Sequence, residues 1–347
     1  MEQTIIRPIV PAFSLEKTQL EKCAQNLTRA WEGTCHIPAA KTRVKLLDGK
    51  ACDDTFLSHN PTDAWTLLSK NMRESNLKLL GKAAWKDHEY ISATDAPPED
   101  MLRIVCISDT HGKHDQIDSN NIPDGDILIH AGDLTNKGEP ATLRGFRDWV
   151  RKLPHKHKLV IGGNHDLSLD KNFRSSLNPE SIKNARDNVF DVEEFIYLCN
   201  DSITLEGYNF FGSPIQPEFN SWAFQRERGQ ESRNEWNQIP DETDVLITHG
   251  PPLGFGDLCK NGCRAGCLDL LREVQFRVRP IVHVGYSLNL HIKVAYPEMF
   301  AQVFGHIHEG YGHSTDGQTL FLNASSCDYF YRPTNPIHVF DLPKRRL

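Results

Sequence analysis

Residues 102–111 read "LRIVCISDTH", an apolar, β-branched run that stops at an Asp-x-His. A run of this length suits a strand buried on both faces of a sheet, and the polar residues that follow sit where that strand ends. The same grammar recurs along the chain. "DILIHA" (126–131) is followed by Gly132-Asp133, "HKLVIG" (157–162) by Gly163-Asn164-His165-Asp166, and "DVLIT" (244–248) by His249-Gly250. "PIVHV" (280–284) leads, after an interruption, to Gly305-His306-Ile307-His308. "TLFLNA" (319–324) and "IHVFDL" (337–342) are further strands. Helical patterns at 141–153 and 268–278 separate some of these runs, so the expected class is a layered α/β domain with helices covering sheet.

Ligands in open α/β sheets bind beyond the carboxyl ends of the strands, and each of these strands delivers Asp, Asn or His there. Together they offer two carboxylates, an amide oxygen and at least four imidazoles, with no thiolate. That donor set suits Mn, Fe, Zn, Ni or Co. It exceeds the needs of one ion, so two divalent metals sharing a carboxylate is the economical reading. In an extended chain, His306 and His308 would project together and Ile307 opposite. With two dications against Asp109, Asp133 and a bridging hydroxide, the centre stays near +1 and attracts phosphate.

The series D-x-H, G-D, G-N-H-D, H-G and G-H-x-H, in this order over about residues 102–343, resembles the calcineurin-like metallophosphoesterase superfamily. "VCISDTHGKH", "ILIHAGDLTNKGE", "ITHGPPLG", "GHIHEGYG" and "NASSCDYFYRPTNPIHVFDLP" are similar to the metallophosphoesterase-domain-containing family within it, whose better-known members are brain-enriched in vertebrates. The resemblance implies a layered α/β/β/α sandwich. It implies one metal, Mn first among those named, on Asp109, His111, Asp133 and His308. A second would lie on Asp133, Asn164, His249 and His306. It further implies attack on phosphorus by a bridging hydroxide, with His165 protonating or stabilising the leaving oxygen and Asp166 orienting His165. His114, Asn220 and Trp222 are candidate substrate contacts; the counterpart of the 212–230 loop in the family lies near a nucleotide pocket. The substrate class this implies is small phosphodiesters, cyclic nucleotides among them. A slow or inactive nucleotide-binding scaffold of the same fold is the alternative. The protein Ser/Thr phosphatases follow their Gly-Asp with Asp-Arg-Gly, whereas this chain reads "GDLTNKGE".

The remaining sequence sets limits. The chain has 347 residues, a net charge of −7 and no long basic block, which disfavours a long nucleic acid as partner. No apolar run approaches a membrane span. Nine scattered cysteines and an N-terminus without a basic-then-apolar leader give a cytoplasmic expectation. Cys259, Cys263 and Cys267 read as a polar loop entering a helix, not a zinc site. Residues 1–100 form an N-terminal extension of unknown role, with helical stretches at 15–31 and 63–72, ahead of a catalytic domain at 101–347. Within that domain "VGYSLNLHIKVAYPEMFAQ" (284–302) interrupts the fifth strand. Removing it leaves "RPIVHVFGHIHEGYG", a continuous strand ending at the histidines. Because Val codons begin with GT and one Gln codon ends in AG, the segment is either an insertion or a retained in-frame intron.

Overall fold

The computed structural model describes 4–6, 44–45, 51–52, 58–74 and 90–92, then residues 99–345 apart from 119–120, 174–178, 188, 190–191, 279–299 and 316–318. Two sheets face each other. The first runs, in spatial order, Tyr90–Ser92, Thr4–Ile6, His338–Pro343, Met101–Ile107, Ile127–His130, His157–Val160 and Ile196–Tyr197. The second runs Gly312–Thr315, Thr319–Asn323, Phe300–Phe304, Val245–Thr248, Tyr208–Ser213 and Asp201–Leu205. Met101–Ile107, Ile127–His130 and His157–Val160 are mutually parallel, as are Tyr208–Ser213, Val245–Thr248, Phe300–Phe304 and Thr319–Asn323. Parallel strands bring their carboxyl ends to one edge, which is why residues distant in sequence can meet there.

Period-two alternation explains the layers. Ile104, Cys106, Ile127, Ile129 and Leu159 point into the space between the sheets, against Val245, Ile247, Val303, Leu320 and Leu322. Their neighbours Val105, Ile107, Leu128 and Val160 point outward and are covered by Leu143, Phe146 and Val150 of the helix Pro140–Val150. On the far side Leu246, Phe304 and Phe321 share a core with Trp236, Leu270 and Leu271. The architecture is the expected α/β/β/α sandwich. Helix Leu268–Arg272 is entered through Cys267, whose Sγ accepts from the Leu270 N–H at 3.4 Å.

The helical stretch expected at 63–72 is the helix Pro61–Glu74, which buries Ala64 and Leu68 in the outer core. Thr4–Ile6 and Tyr90–Ser92, which no sequence pattern marked, extend the first sheet past His338–Pro343. The expected helix at 15–31 lies outside the described residues. The strand that feeds the paired histidines is Phe300–Phe304, not "PIVHV", which also lies outside the described residues. Ala301 and Val303 of that strand face the inter-sheet core, and Gln302 is buried with its amide donating to Thr248 Oγ1 at 3.0 Å. Among the described residues no helix is long and apolar enough to cross a membrane.

Candidate metal centre

The two sheets deliver their polar loop residues to one buried cluster. Asp109, His111, Asp133 and Asn164 follow strands of the first sheet, and His249, His306 and His308 follow strands of the second. Backbone bonds fix the turns: Asp109 N–H donates to the Gly132 carbonyl (2.9 Å), His111 N–H to the Asp133 carbonyl (3.0 Å) and Gly305 N–H to the His249 carbonyl (3.0 Å). Asp133 divides its carboxylate between two histidines. Its Oδ2 lies 3.5 Å from His111 Nε2 and its Oδ1 lies 3.4 Å from His249 Nε2. His308 Nε2 is 3.4 Å from Asp109 Oδ1 and only 3.2 Å from His111 Nε2, while His249 Nε2 is 2.9 Å from Asn164 Oδ1.

This convergence places demands on the backbone. Asp109 (φ 52°), His111 (φ 46°), Asp133 (φ 54°) and His306 (φ 69°) all occupy the left-handed region, which L-residues other than Gly, Asn and Asp rarely enter. Asp tolerates this region, so His111 and His306 carry the larger cost, and both sit among the ligand candidates. Glycine is required where carboxylates press on the chain: a Cβ on Gly163 would fall on the Asp133 carboxylate, and one on Gly305 on the Asp109 carboxylate. His306 and His308 both reach the cluster, but through a bend. His308 opens a 3₁₀ turn, so the expected extended alternation across 306–308 does not hold.

The electrostatics fit divalent cations. Burial alone would raise the Asp109 carboxyl, but His308, His249 and His111 outweigh it and hold Asp109 well below the ordinary carboxylate range. Asp133 is likewise depressed: burial opposes the shift, and His249 and His111 prevail. Burial lowers His249 too, yet Asp133 and Asp109 push it up to about 9. In His111 burial wins and takes the imidazole down to about 4; in His306 burial, helped by His249, takes it to about 3. Two ionised carboxylates thus sit among imidazoles of two kinds: burial holds His111 and His306 neutral, the state a metal ligand needs, whereas against burial the carboxylates raise His249 and His308, which give up a proton on ligating. Tautomers are set as well. His249 Nδ1 donates to the Ala131 carbonyl (3.0 Å) and His308 Nδ1 to the Asp328 carbonyl (3.0 Å), which turns each Nε2 toward the carboxylates and leaves it the ligating atom once its proton is lost. Ligand atoms of Asp109, His111 and His308 lie within 4.8 Å of one another, as do those of Asp109, Asp133 and His249, and those of His111, Asp133 and His165. The donor set fits metal ions.

Around this cluster the structure revises several expectations. His165 stands at the rim, its ring edge-on to His111 at 4.7 Å. Its Nδ1 donates to the Asn136 carbonyl at 2.9 Å, so a main-chain oxygen orients it and Asp166 does not. Asp166 is fully buried and accepts four bonds elsewhere, from the N–H groups of Leu134, Thr135 and Gly163 and from the Thr135 hydroxyl. Burial, with Asp133 nearby, pushes its carboxyl up to about 7. Its place is between two ligand loops, and a direct catalytic role is not what these bonds describe. His114 is buried against Phe146 and Trp149, ring centroids 5.8 and 5.7 Å away, and Gly145 closes over its Nε2. That packing removes it from substrate contact. Asn220 is exposed on its loop, and Trp222 lies against His165 with ring centroids 4.3 Å apart. His306 stands beside His249 at 5.0 Å, with its backbone N–H on the Asp109 carboxylate at 3.0 Å.

Two contributors were missed. Ser325 donates its hydroxyl to Asp109 Oδ2 at 2.7 Å; it follows the strand Thr319–Asn323, so the rule used for the other strands could have found it. Tyr331 packs edge-on to His111 and His308 at 4.7 and 5.0 Å. It ends the run Tyr329-Phe330-Tyr331, and nothing in that run marks which ring meets the histidines.

A layered sandwich with Asp, Asn and His ligands at the strand ends describes a class of metal-dependent phosphoesterase. Residues 102–310 match the family model described as "Calcineurin-like phosphoesterase", and the chain belongs to that family. Metallophosphoesterase domain-containing protein 1 of Homo sapiens is 40% identical over 305 residues, covering 83% of this chain and 84% of that protein. The Mus musculus protein of the same name gives the same figures. A UPF0046 protein of Caenorhabditis elegans is 35% identical over 321 residues, covering 87% of this chain and 72% of its own length.

Proposed function

We propose that this chain is a metal-dependent phosphodiesterase acting on small phosphodiesters, with cyclic nucleotides the leading substrate class and the cytoplasm its place of action. The observation that carries the reading is the divided Asp133 carboxylate, one oxygen toward His111 and the other toward His249. Asp109, His111, Asp133 and His308 would hold one divalent ion; Asp133, Asn164, His249 and His306 would hold another, with Mn the first choice. Divalent ions bound there supply Lewis acidity, which lowers the pKa of water and stabilises negative charge on phosphoryl oxygens.

The chain's own groups do the rest. Asp109 and Asp133, ionised across the physiological range, supply the negative charge that cations take over from the paired imidazoles, and Ser325 holds Asp109 in place. His165 has its Nδ1–H committed to the Asn136 carbonyl, so Nε2 is the ring nitrogen left to carry a proton between solvent and a leaving oxygen. Trp222 packs on the same imidazole and limits its rotation. Family membership supports phosphoester hydrolysis as the reaction type. The narrower substrate class rests on the sequence resemblance and on the aromatic rim.

The test is a screen of chelator-treated, metal-reconstituted protein against 2′,3′- and 3′,5′-cyclic nucleotides and a generic aryl phosphodiester. Turnover with at least one cation, abolished in Asp133→Asn together with occupancy of both metals, is expected. Absence of hydrolysis with Mn, Fe, Zn, Ni and Co alike would defeat the proposal, as would an Asp133→Asn variant that keeps wild-type turnover with two metals bound.

A further inference from the structure

Tyr331 is 40% exposed, has a left-handed backbone (φ 59°), and leans on three site histidines at once: His111, His308 and, at 6.3 Å, His165. Its main chain is pinned. The Tyr331 N–H donates to the Asp328 carbonyl at 2.9 Å, and the Lys113 ammonium donates to the Tyr331 carbonyl. Asp328 organises the rest of the tip, its Oδ1 accepting from the N–H groups of Phe330 and Arg332 at 2.9 Å each while its Oδ2 accepts from the Arg332 guanidinium. The same Asp328 carbonyl takes the His308 Nδ1 proton. The turn therefore ties the ligand loops together through the main chain of Tyr331 and the side chains of Asp328, Arg332, Lys113 and His308. The phenol ring makes none of those hydrogen bonds, though the Lys113 ammonium lies 5.9 Å over it, and a glycine would relieve the left-handed φ.

Trp222 also packs on His165, at 4.3 Å, so two loops bring aromatic rings to that imidazole. The loops also carry the exposed Phe219 and the exposed pair Tyr329 and Phe330, with the Lys260 ammonium 4.5 Å over the Tyr329 ring. Large apolar side chains left in water beside a polar centre mark a binding surface. Their planar faces suit a planar ring.

We infer that Tyr331 is a specificity-determining residue: its ring forms one wall of the substrate site and selects phosphoesters that carry a planar ring close to the phosphorus. The inference rests on the phosphoesterase reading of the adjacent centre and names what that centre selects. An aromatic wall contributes to the ring and not to the phosphate, so its loss should be felt only by ligands that have a ring.

The test is calorimetric binding of adenosine monophosphate and of ribose 5-phosphate to manganese-loaded protein, in wild type, Tyr331→Phe and Tyr331→Leu. Both ligands offer a phosphate and a ribose; one also offers a base. Stacking of a base on an aromatic side chain corresponds to roughly tenfold or more in affinity. We expect the wild type to prefer adenosine monophosphate by at least that factor, Tyr331→Phe to keep the preference, and Tyr331→Leu to reduce it to about threefold or less. Far-UV circular dichroism of Tyr331→Leu checks that the turn survives. An unchanged preference in Tyr331→Leu, an equal weakening of both ligands, or binding of neither by the wild type would overturn the inference. Failure of the hydrolysis screen with the preference intact would instead sink the enzyme reading and leave Tyr331 as a ring-binding residue.

Discussion

Asp166→Asn separates a loop-tying role from a catalytic one. The wild-type carboxylate takes Thr135 N–H (2.9 Å) and the Thr135 hydroxyl (2.8 Å) on Oδ1, with Gly163 N–H (2.9 Å) and Leu134 N–H (3.1 Å) on Oδ2. Asparagine supplies one acceptor oxygen and one NH₂. The better orientation keeps the oxygen on Gly163 and Leu134 and turns the NH₂ toward Thr135, whose hydroxyl can reverse and accept. The Thr135 N–H is then buried without a partner, which costs about 1–3 kcal/mol. Removing the buried charge, which burial and the nearby Asp133 penalise, offsets part of that cost. The expected loss is therefore about 1–2 kcal/mol, read as the shift in urea midpoint at constant m-value at pH 8, where the carboxyl is ionised. His165→Gln, which changes a rim residue, should cost much less stability. If Asp166→Asn unfolds within about 0.5 kcal/mol of wild type yet loses activity as fully as His165→Gln, the loop-tying account is wrong and Asp166 acts through His165 after all.

His306→Gly should remove one metal selectively, leaving about one per chain by elemental analysis, because Asp109, His111 and His308 still define the other position. Relief of the left-handed φ of 69° should offset the lost ring packing, so a stability change beyond about 1–2 kcal/mol, or equal loss of both metals, would count against this. Metal affinity should tighten as pH rises. His249, held up to about 9 by Asp133 and Asp109 in the metal-free protein, must give up its proton to ligate, so each displaced proton is worth up to tenfold per pH unit below that value. The sign reverses for the metal-free fold: the His249 ion pair stabilises fully below about 6.5 and is lost as pH climbs through about 9. An affinity that stays flat from pH 6.5 to 8.5 would contradict both statements. Finally, we propose that the native protein lacks residues 284–302. Ile281, Val282 and His283 would then take the places of Phe300, Ala301 and Gln302 in the strand beside Val245–Thr248, and β-branched residues suit that central position. Tryptic peptides of the native protein spanning 285–302 at full abundance would end that idea.

Sequence alone determined the strands and the sites they serve, because both are local. A buried strand must be an apolar run, and a ligand at its carboxyl end must be the next polar residue. Asp109, Asp133, Asn164, His249 and His308 were legible for that reason, and the family resemblance divided them between two metals. What the chain order could not carry is anything that depends on two loops meeting. That the Asn136 carbonyl orients His165, that Asp166 spends both oxygens on neighbouring turns, and that His114 faces Phe146 are consequences of packing between elements with no shared periodicity. Tyr331 belongs with them. Only the pinned turn at Asp328 brings its ring over the histidines, and a main-chain bond such as Lys113 to the Tyr331 carbonyl is the same whatever side chain the residue bears. Left-handed conformations at His111 and His306 are likewise imposed from outside, since an imidazole-bearing residue gains nothing local there and the surrounding bonds hold the turn.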